Sequence, residues 1–460
     1  MYIFSCFREF NIQLYSSCVI ANLPSFLIGY CIAWTTFAIP RLDGTVNQLY
    51  SPLKTSVLLH HKIWLISVIP IGIAISSLLS AYLINKRGRK ELLVLATLFT
   101  TMGLALVYFS EYITYLLIGR AVCGLGIGAA LTVVPLYIAE IAEDENRGFL
   151  GMCNGIFVIL GMLITYALGL VMTLNELNLM FFVVAFGFLL IVDWWLPESY
   201  HWLLLMDRSK DAEISLKQIR RYSNDDLINE LIVTKKSIGD LHLEDMDFLN
   251  IFKQRYILKA FCTMCGLMLF QQMITVSIIL YYAQSLFTES DMPQQLHLAQ
   301  LTISFVQLLS CSFFSLFVDK IGRKILLLVS TIGCGLSLVT LGTFFQIQNS
   351  GNILQWLEIT SIICFAIAHA AGLGPVPFVI LGEIFSPQTR AIGSAGVVCM
   401  SAASFVLMAA VFLPLLNLIG EVAMFWVLAG ICFIFGAFIY FYIPETKRKS
   451  LQDIQDMLQN

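Results

Sequence analysis

Charge is what this chain has least of. Only 12% of its 460 residues are Asp, Glu, Lys or Arg, about half of what a soluble domain carries. A soluble globule is therefore excluded. The net charge of −3 offers no basic surface for nucleic acid. No Asn-x-Ser/Thr glycosylation site occurs, nor a Gly-x4-Gly-Lys-Ser/Thr loop to cradle nucleotide phosphates, which disfavours an ATP-driven pump. The N-terminus lacks a cleavable-signal pattern. No nucleophile, base and orienting group can be placed together, so no catalytic residue is nominated and an enzyme is not expected. The 12 cysteines are not read as a disulfide scaffold. Cys123, Cys153, Cys262, Cys265, Cys334, Cys364, Cys399 and Cys432 lie within apolar runs and read as small packing residues. Cys262 and Cys265 have metal-like spacing but no second pair, so neither metal nor cofactor is expected.

What the chain does have is apolar length: 58% of it is hydrophobic, with a mean hydropathy of +0.82. A bilayer core takes about 20 apolar residues per helix. Runs of that kind lie near 15–40, 63–84, 91–110, 113–138, 150–172, 178–196, 257–286, 299–318, 325–347, 356–381, 391–418 and 421–442. They are continuous rather than alternating with period two, so they predict helices, not barrel strands. Lys86, Arg87, Arg89 and Lys90 share one short loop, Lys320, Arg323 and Lys324 another, and Lys447 to Lys449 follow the last run. Such basic loops face the cytoplasm, which puts both termini inside.

The chain repeats itself. Asn85-Lys86-Arg87-Gly88-Arg89-Lys90 returns as Asp319-Lys320-Ile321-Gly322-Arg323-Lys324. Glu140-Ile141 with Arg147 returns as Glu383-Ile384 with Arg390, and Pro197-Glu198-Ser199 as Pro444-Glu445-Thr446. Offsets of 234, 243 and 247 residues separate Asn85 from Asp319, Glu140 from Glu383 and Pro197 from Pro444. Three matches in order at nearly one offset indicate two homologous halves. Duplicated halves in an apolar chain mark a secondary transporter that rocks about a site between them. The expected division is 1–196, a six-helix half; 197–255, a cytoplasmic linker with short amphipathic helices; 256–442, a second six-helix half; and 443–460, a cytoplasmic tail. In each turn the glycine permits a tight bend, and the basic residues can pair with Glu140 and Glu383 at neighbouring helix ends. Pairs that form in one conformation and break in another bias the two states. The competing reading is topology by positive charge alone.

Polar residues inside apolar runs are costly and usually face a cavity or another helix. Gln271 and Gln272 lie mid-way along the seventh run and Gln307 along the eighth. An amide offers both donor and acceptor and suits a neutral polyhydroxyl ligand; interhelical bonding is the alternative for each. His369 in the tenth run either touches substrate or bonds between helices. Gly374-Pro375-Val376-Pro377 predicts a break in that helix, and a broken helix at membrane depth commonly borders a transport cavity. Phe378, just beyond, can lie against a sugar ring or simply pack.

Taken together, these motifs resemble a sugar porter of the major facilitator superfamily over nearly the full chain. The residues carrying the likeness are Gly119-Arg120, Pro135 to Ile141 with Arg147-Gly148, Pro197-Glu198-Ser199, Gln271-Gln272 with Tyr281-Tyr282, Asp319 to Lys324, Gly374 to Pro377, Glu383-Ile384-Phe385 with Arg390, and Pro444 to Lys447. Gly29 to Ala38 is also similar to insect trehalose and glucose facilitators. The likeness implies an all-α membrane protein with the major facilitator fold: twelve transmembrane helices in two pseudo-symmetric six-helix halves. It implies a cell-membrane, multi-pass facilitator of a neutral sugar, hexose or trehalose, working by alternating access as a monomer in the lipid bilayer. Gln271, Gln272 and Gln307, with Ser277, Phe378 and His369, are the expected substrate contacts. Arg89, Arg120, Glu140, Arg147, Asp319, Arg323, Glu383 and Arg390 are the expected conformational charge network.

Several departures fall at the family's sugar-contacting positions. Gly155 stands for a Gln, Ser277 for an Asn, Cys399-Met400 for Asn-Trp and Phe378 for a Trp. Asn85 replaces an Asp and His201 an Arg. An unpartnered hydroxyl in a dry site costs about 1–3 kcal/mol, so such losses weaken or redirect sugar binding. Proton-coupled relatives carry an Asp beside Gly-Tyr in the first helix, whereas Gly29-Tyr30 is followed by Cys31, which favours a facilitator. Another neutral solute such as a polyol, or a sensor that binds without transport, is the alternative.

Overall fold

In the computed structural model of the chain, residues 12–42, 58–220, 224–238, 255–288, 293–347, 355–386, 389–447, 449 and 457 are described, with side chains at 276–288, 293–297 and a few single positions excepted. The described residues are almost entirely helical and contain no strand. Twelve helices are long and apolar enough to cross a membrane: Ile12–Ile39, His60–Arg87, Arg89–Tyr108, Ile113–Ile141, Arg147–Gly169, Leu174–Trp195, Arg255–Thr275, Leu298–Ser315, Arg323–Ile347, Trp356–Ile384, Arg390–Phe412 and Pro414–Tyr442. In lipid every backbone polar group must be satisfied within the chain, which is why these runs fold as helices. The eleventh and twelfth spans run on as one helix, Arg390–Tyr442, which bends at Gly420, at φ 80°, near the start of the twelfth.

Two hydrophobic cores divide the bundle. One is built mainly from spans one to six, with Ile219 of a linker helix and Ala391 of span eleven added. The other gathers Ala260 through Ile443 and borrows Met152 and Ile159 from span five. Between helices in lipid, contact rests on close packing of small residues. Spans one and five show this at its limit, because a Cβ at Gly29 would overlap the Val158 carbonyl and one at Gly161 the Phe26 carbonyl. After Pro197 the chain forms short helices at Tyr200–Leu205, Ser209–Ile219 and Asn224–Ile238. Tyr200, Trp202, Leu203, Leu204, Ala212, Leu216 and Leu227 bind them into a small core of their own.

Candidate functional site

The charge cluster is built twice. Gly88 sits at φ 93° and Gly322 at φ 106°, a conformation that side chains rarely adopt. A Cβ at either would also strike a carboxylate, Glu198 in one half and Glu445 in the other. Those carboxylates hold the turns from below. Glu198 accepts from the backbone N–H of Arg89 at 2.9 Å, Lys90 at 3.2 Å and Ser199 at 2.8 Å. Glu445 accepts from Arg323 at 3.0 Å, Lys324 at 3.1 Å and Lys447 at 3.0 Å. Burial pushes the Glu198 carboxyl above the usual carboxylate range, against the pull of these N–H donors.

With the turn fixed, the arginine is aimed inward. Arg89 and Glu140 are each 1% exposed and form a two-pronged pair, Nη2 to Oε1 at 2.8 Å and Nε to Oε2 at 3.0 Å. Ser199 donates its hydroxyl to the same carboxylate. From the other half Arg390, fully buried, reaches Glu140 at 3.5 Å. The second cluster is looser: Arg323 Nη2 meets Glu383 at 2.9 Å and Asp319 at 3.0 Å, and Thr446 donates to Glu383 at 2.6 Å. Asp319 also accepts from the N–H groups of Gly148 at 3.0 Å and Phe149 at 2.8 Å, at the start of span five. Through Arg390 and Asp319 the halves are joined at the end that carries the basic turns.

Two residues assigned to this network take other partners. Arg147 pairs at 2.5 Å with Asp144 on its own loop. Arg120 must be corrected outright: it lies 20 residues before Glu140 on one continuous helix, Ile113–Ile141, hence about 30 Å away at 1.5 Å per residue. There it is 2% exposed, bonds the Cys31 carbonyl at 3.0 Å and the Thr35 hydroxyl, and stacks over Trp34 at 4.5 Å. The guanidinium is held by a carbonyl and a ring face, with no ion-pair partner among the described residues. His201, which the sequence marks only as a departure from an expected Arg, also lies beside this cluster. Its Nδ1 is buried without a hydrogen bond, and burial, with Arg390, Arg147 and Arg89 nearby and opposed by Glu140, lowers its pKa to about 3. The imidazole is therefore neutral where the family has a cation.

The second feature lies at mid-membrane. Span ten leaves regular α-helix as a π turn at His369–Leu373, breaks at Gly374-Pro375 and resumes at Val376–Ile384. Carbonyls and amides freed by such a break need partners. Ser330 accepts from Leu373 N–H and donates to the Ala368 carbonyl, both at 2.7 Å. Gln271 donates its amide to the carbonyls of Leu373 and Gly374, both at 3.0 Å. Gln271 is 5% exposed, and its Oε1 is left buried and unpartnered. Gln272 donates to the Ser401 hydroxyl at 3.0 Å, while Thr275 and His369 share a hydrogen bond of 3.0 Å. Phe378 packs half-buried against the second core. Gln307 is half-buried on span eight and away from these bonds. The Ser277 side chain lies outside the described residues. Gly155 explains its own departure: a Cβ there would lie 2.7 Å from Pro375 and 3.6 Å from Cys311. The broken helix fills the space a Gln would need.

A paired bundle of twelve spans, with a broken helix at its centre and ion pairs linking its halves on one face, is the architecture of a secondary transporter. The sequence agrees over nearly its whole length: residues 17–458 match the model of the sugar (and other) transporter family, to which the chain belongs. It is 27% identical over 440 residues to "Facilitated trehalose transporter Tret1" of Aedes aegypti, covering 94% of this chain and 54% of the relative. It is 26% identical over 440 residues to the protein of the same name from Culex quinquefasciatus, covering 94% and 83%. The chain thus spans about half the length of the first of these. The fold superposes with a TM-score of 0.83 on the proton:xylose symporter XylE bound to 6-bromo-6-deoxy-D-glucose, at 22% identity and with 98% and 100% of the two chains covered.

Proposed function

We propose that the protein is a facilitative transporter of a neutral sugar, hexose or trehalose, working by alternating access. The observation that carries this is Gln271. Its amide holds the broken helix open and its buried carbonyl oxygen has no partner, so a substrate hydroxyl that donates to it relieves a desolvation cost. Arg120 supports a uniporter: it bonds Cys31 and Thr35 and, among the described residues, pairs with no carboxylate that could carry a proton. The names of the relatives favour trehalose.

The remaining parts of the reading follow the charge pattern. The basic turns and both termini lie in the cytoplasm, 1–196 and 256–442 are the moving halves, 197–255 ties them, and 443–460 is a tail. The protein works as a monomer in the cell membrane. Gln272, Gln307, Ser277, Phe378 and His369 complete the substrate site, and Glu140, Glu383 and their arginines form the network that opens and closes.

Counterflow of labelled glucose and trehalose in proteoliposomes tests this, with and without a pH gradient. Uptake indifferent to the gradient is expected. Gln271→Ala is expected to cut it by at least tenfold, about what one lost hydrogen bond to a buried group costs, with a rise in KM. Uptake that follows the gradient overturns the uniporter. Absence of uptake by folded protein moves the reading to another neutral solute or to a sensor.

A further inference from the structure

Span one carries two cysteines, and each meets a thiol of a neighbouring helix. Cys18 is a hydrogen-bond partner of Cys153 on span five, and Cys31 of Cys123 on span four. Close packing between membrane helices calls for small groups, but not for two thiols face to face. The two pairs differ in access. Cys31 and Cys123 are 1% and 0% exposed. Cys18 is 1% exposed, whereas Cys153 is only partly buried.

The Cys18 pair lies at one depth. Spans one and five start at Ile12 and Arg147, so each thiol is six residues in (18−12 and 153−147), about 9 Å along its helix at 1.5 Å per residue. Cys18 donates to the Leu150 carbonyl at 3.7 Å and Cys153 to the Phe149 carbonyl at 3.5 Å. Consecutive carbonyls of span five thus hold the two sulfurs. The N–H groups of the same turn, at Gly148 and Phe149, grip Asp319 of the other half. Just past Cys18, span one is interrupted: one helix runs Ile12–Ala21 and the next Leu23–Leu42. Pro24 has no N–H to carry the ladder across. Asn22 fills the gap, giving its amide to the Cys18 carbonyl at 2.8 Å and to the Cys18 sulfur at 3.6 Å. Cys18 therefore belongs to a short first segment, hinged at Asn22 and resting on the turn that links the halves.

We propose that Cys18 and Cys153 form a redox-active dithiol that a peroxide closes to a disulfide. Cys153, the more exposed thiol, reacts first: its sulfur takes one peroxide oxygen to give a sulfenic acid, and water leaves. The Cys18 sulfur then displaces that hydroxyl as a second water. One S–S bond has formed, the peroxide has accepted two electrons, and both thiol protons have gone into water. A dithiol reductant reverses the step. Thiols already in hydrogen-bond contact need little movement to reach the S–S length of about 2 Å. Closure pins the first segment of span one to the turn that holds Asp319, and so favours the arrangement in which the halves are joined at that end.

The test treats the purified full chain with hydrogen peroxide, blocks free thiols with iodoacetamide and maps disulfides by mass spectrometry. A peptide linking Cys18 to Cys153 is expected, absent after dithiothreitol, with Cys31 and Cys123 recovered as free thiols. In Cys18→Ala, dimedone is expected to trap Cys153 as its sulfenic acid. Oxidation is expected to raise the unfolding midpoint of the wild type but not of Cys153→Ala. A last arm rests on the transport reading: counterflow by oxidised protein is expected to fall severalfold and recover with dithiothreitol, while Cys153→Ala ignores peroxide. The link and the midpoint do not depend on the solute carried, so failure of that reading leaves the site decided. No link under peroxide that oxidises the exposed Cys364 overturns the site. Equal linking of Cys31 to Cys123 overturns Cys153 as the point of entry, and a link that leaves counterflow unchanged overturns the switch.

Discussion

In the first half, Arg89 grips Glu140 with two nitrogens and shares it with Ser199 and, across the halves, with Arg390. In the second, Arg323 gives Glu383 one nitrogen and spends the same group on Asp319. The turns, the capping glutamates and the hydroxyl donors are equivalent; the traffic between halves is not. Asp319 crosses to the start of span five, while its counterpart Asn85 offers its backbone carbonyl, which accepts from the Trp202 indole at 3.1 Å. A duplicated device has thus specialised. One half supplies the carboxylate on which the partner's arginine converges, and the other supplies the carboxylate that crosses. Two unlike links therefore join the halves at the end that carries the basic turns.

The sharpest way to break the comparison is at its two glutamates. Replacing either with Gln removes the charge that compensates buried guanidinium groups, and loss of one partner of a buried pair costs about 3–5 kcal/mol. Glu140→Gln strands two arginines, Arg89 and Arg390, each no more than 1% exposed. Glu383→Gln strands Arg323, which keeps Asp319. The expected outcome is a much lower unfolding midpoint for Glu140→Gln than for Glu383→Gln in the same detergent. Equal losses would mean that Arg390 takes no real part in the first cluster.

The helices, their number and the repeated turns were legible from the sequence, because a run of apolar residues has few solutions in lipid and a repeated Gly-Arg-Lys needs the same bend twice. Gln271 was legible as a buried amide, but not its service to the Leu373 and Gly374 carbonyls, since those depend on where the π turn places them. Gly155 read as a missing Gln; only the position of Pro375 shows that no side chain fits. Arg120 was misplaced because its motif is shared with the family, while helix length, which separates it from Glu140, was ignored. His201 was noticed as a departure but not as a buried neutral ring among arginines, a fact set by three chain segments meeting.

A smaller change would sharpen the comparison by making the halves more alike. Span eleven begins at Arg390, and the first N–H groups of a helix lack partners within it. By the repeat, Ala391 and Ile392 stand where Gly148 and Phe149 stand in the first half. Asn85→Asp is expected to give them a carboxylate, adding about 1–2 kcal/mol to the cytoplasm-closed state. Sugar uptake should then slow severalfold while the unfolding midpoint rises. Faster uptake, or an unchanged midpoint, would show that Asp319 has no functional mirror image.

The smallest effect concerns His201, which the 247-residue offset pairs with Arg448 in the second half. Its pKa is lowered to about 3 in the folded chain and returns to about 6.5 when the chain unfolds. Between those values the unfolded chain binds the extra proton, so stability rises with pH through this window. The contribution is fully present above about 6.5 and is lost progressively as pH falls toward 3. His201→Gln, which keeps a neutral side chain of similar reach, is expected to leave the unfolding midpoint at pH 7.5 almost unchanged and to flatten its fall between pH 6.5 and 5. His201→Arg is expected to lower the midpoint at every pH, because it adds a third guanidinium beside Arg89 and Arg390 against the single carboxylate of Glu140. If the arginine variant were instead more stable, the first cluster would have room for another cation, and its difference from the family would lie in sequence history rather than in charge balance.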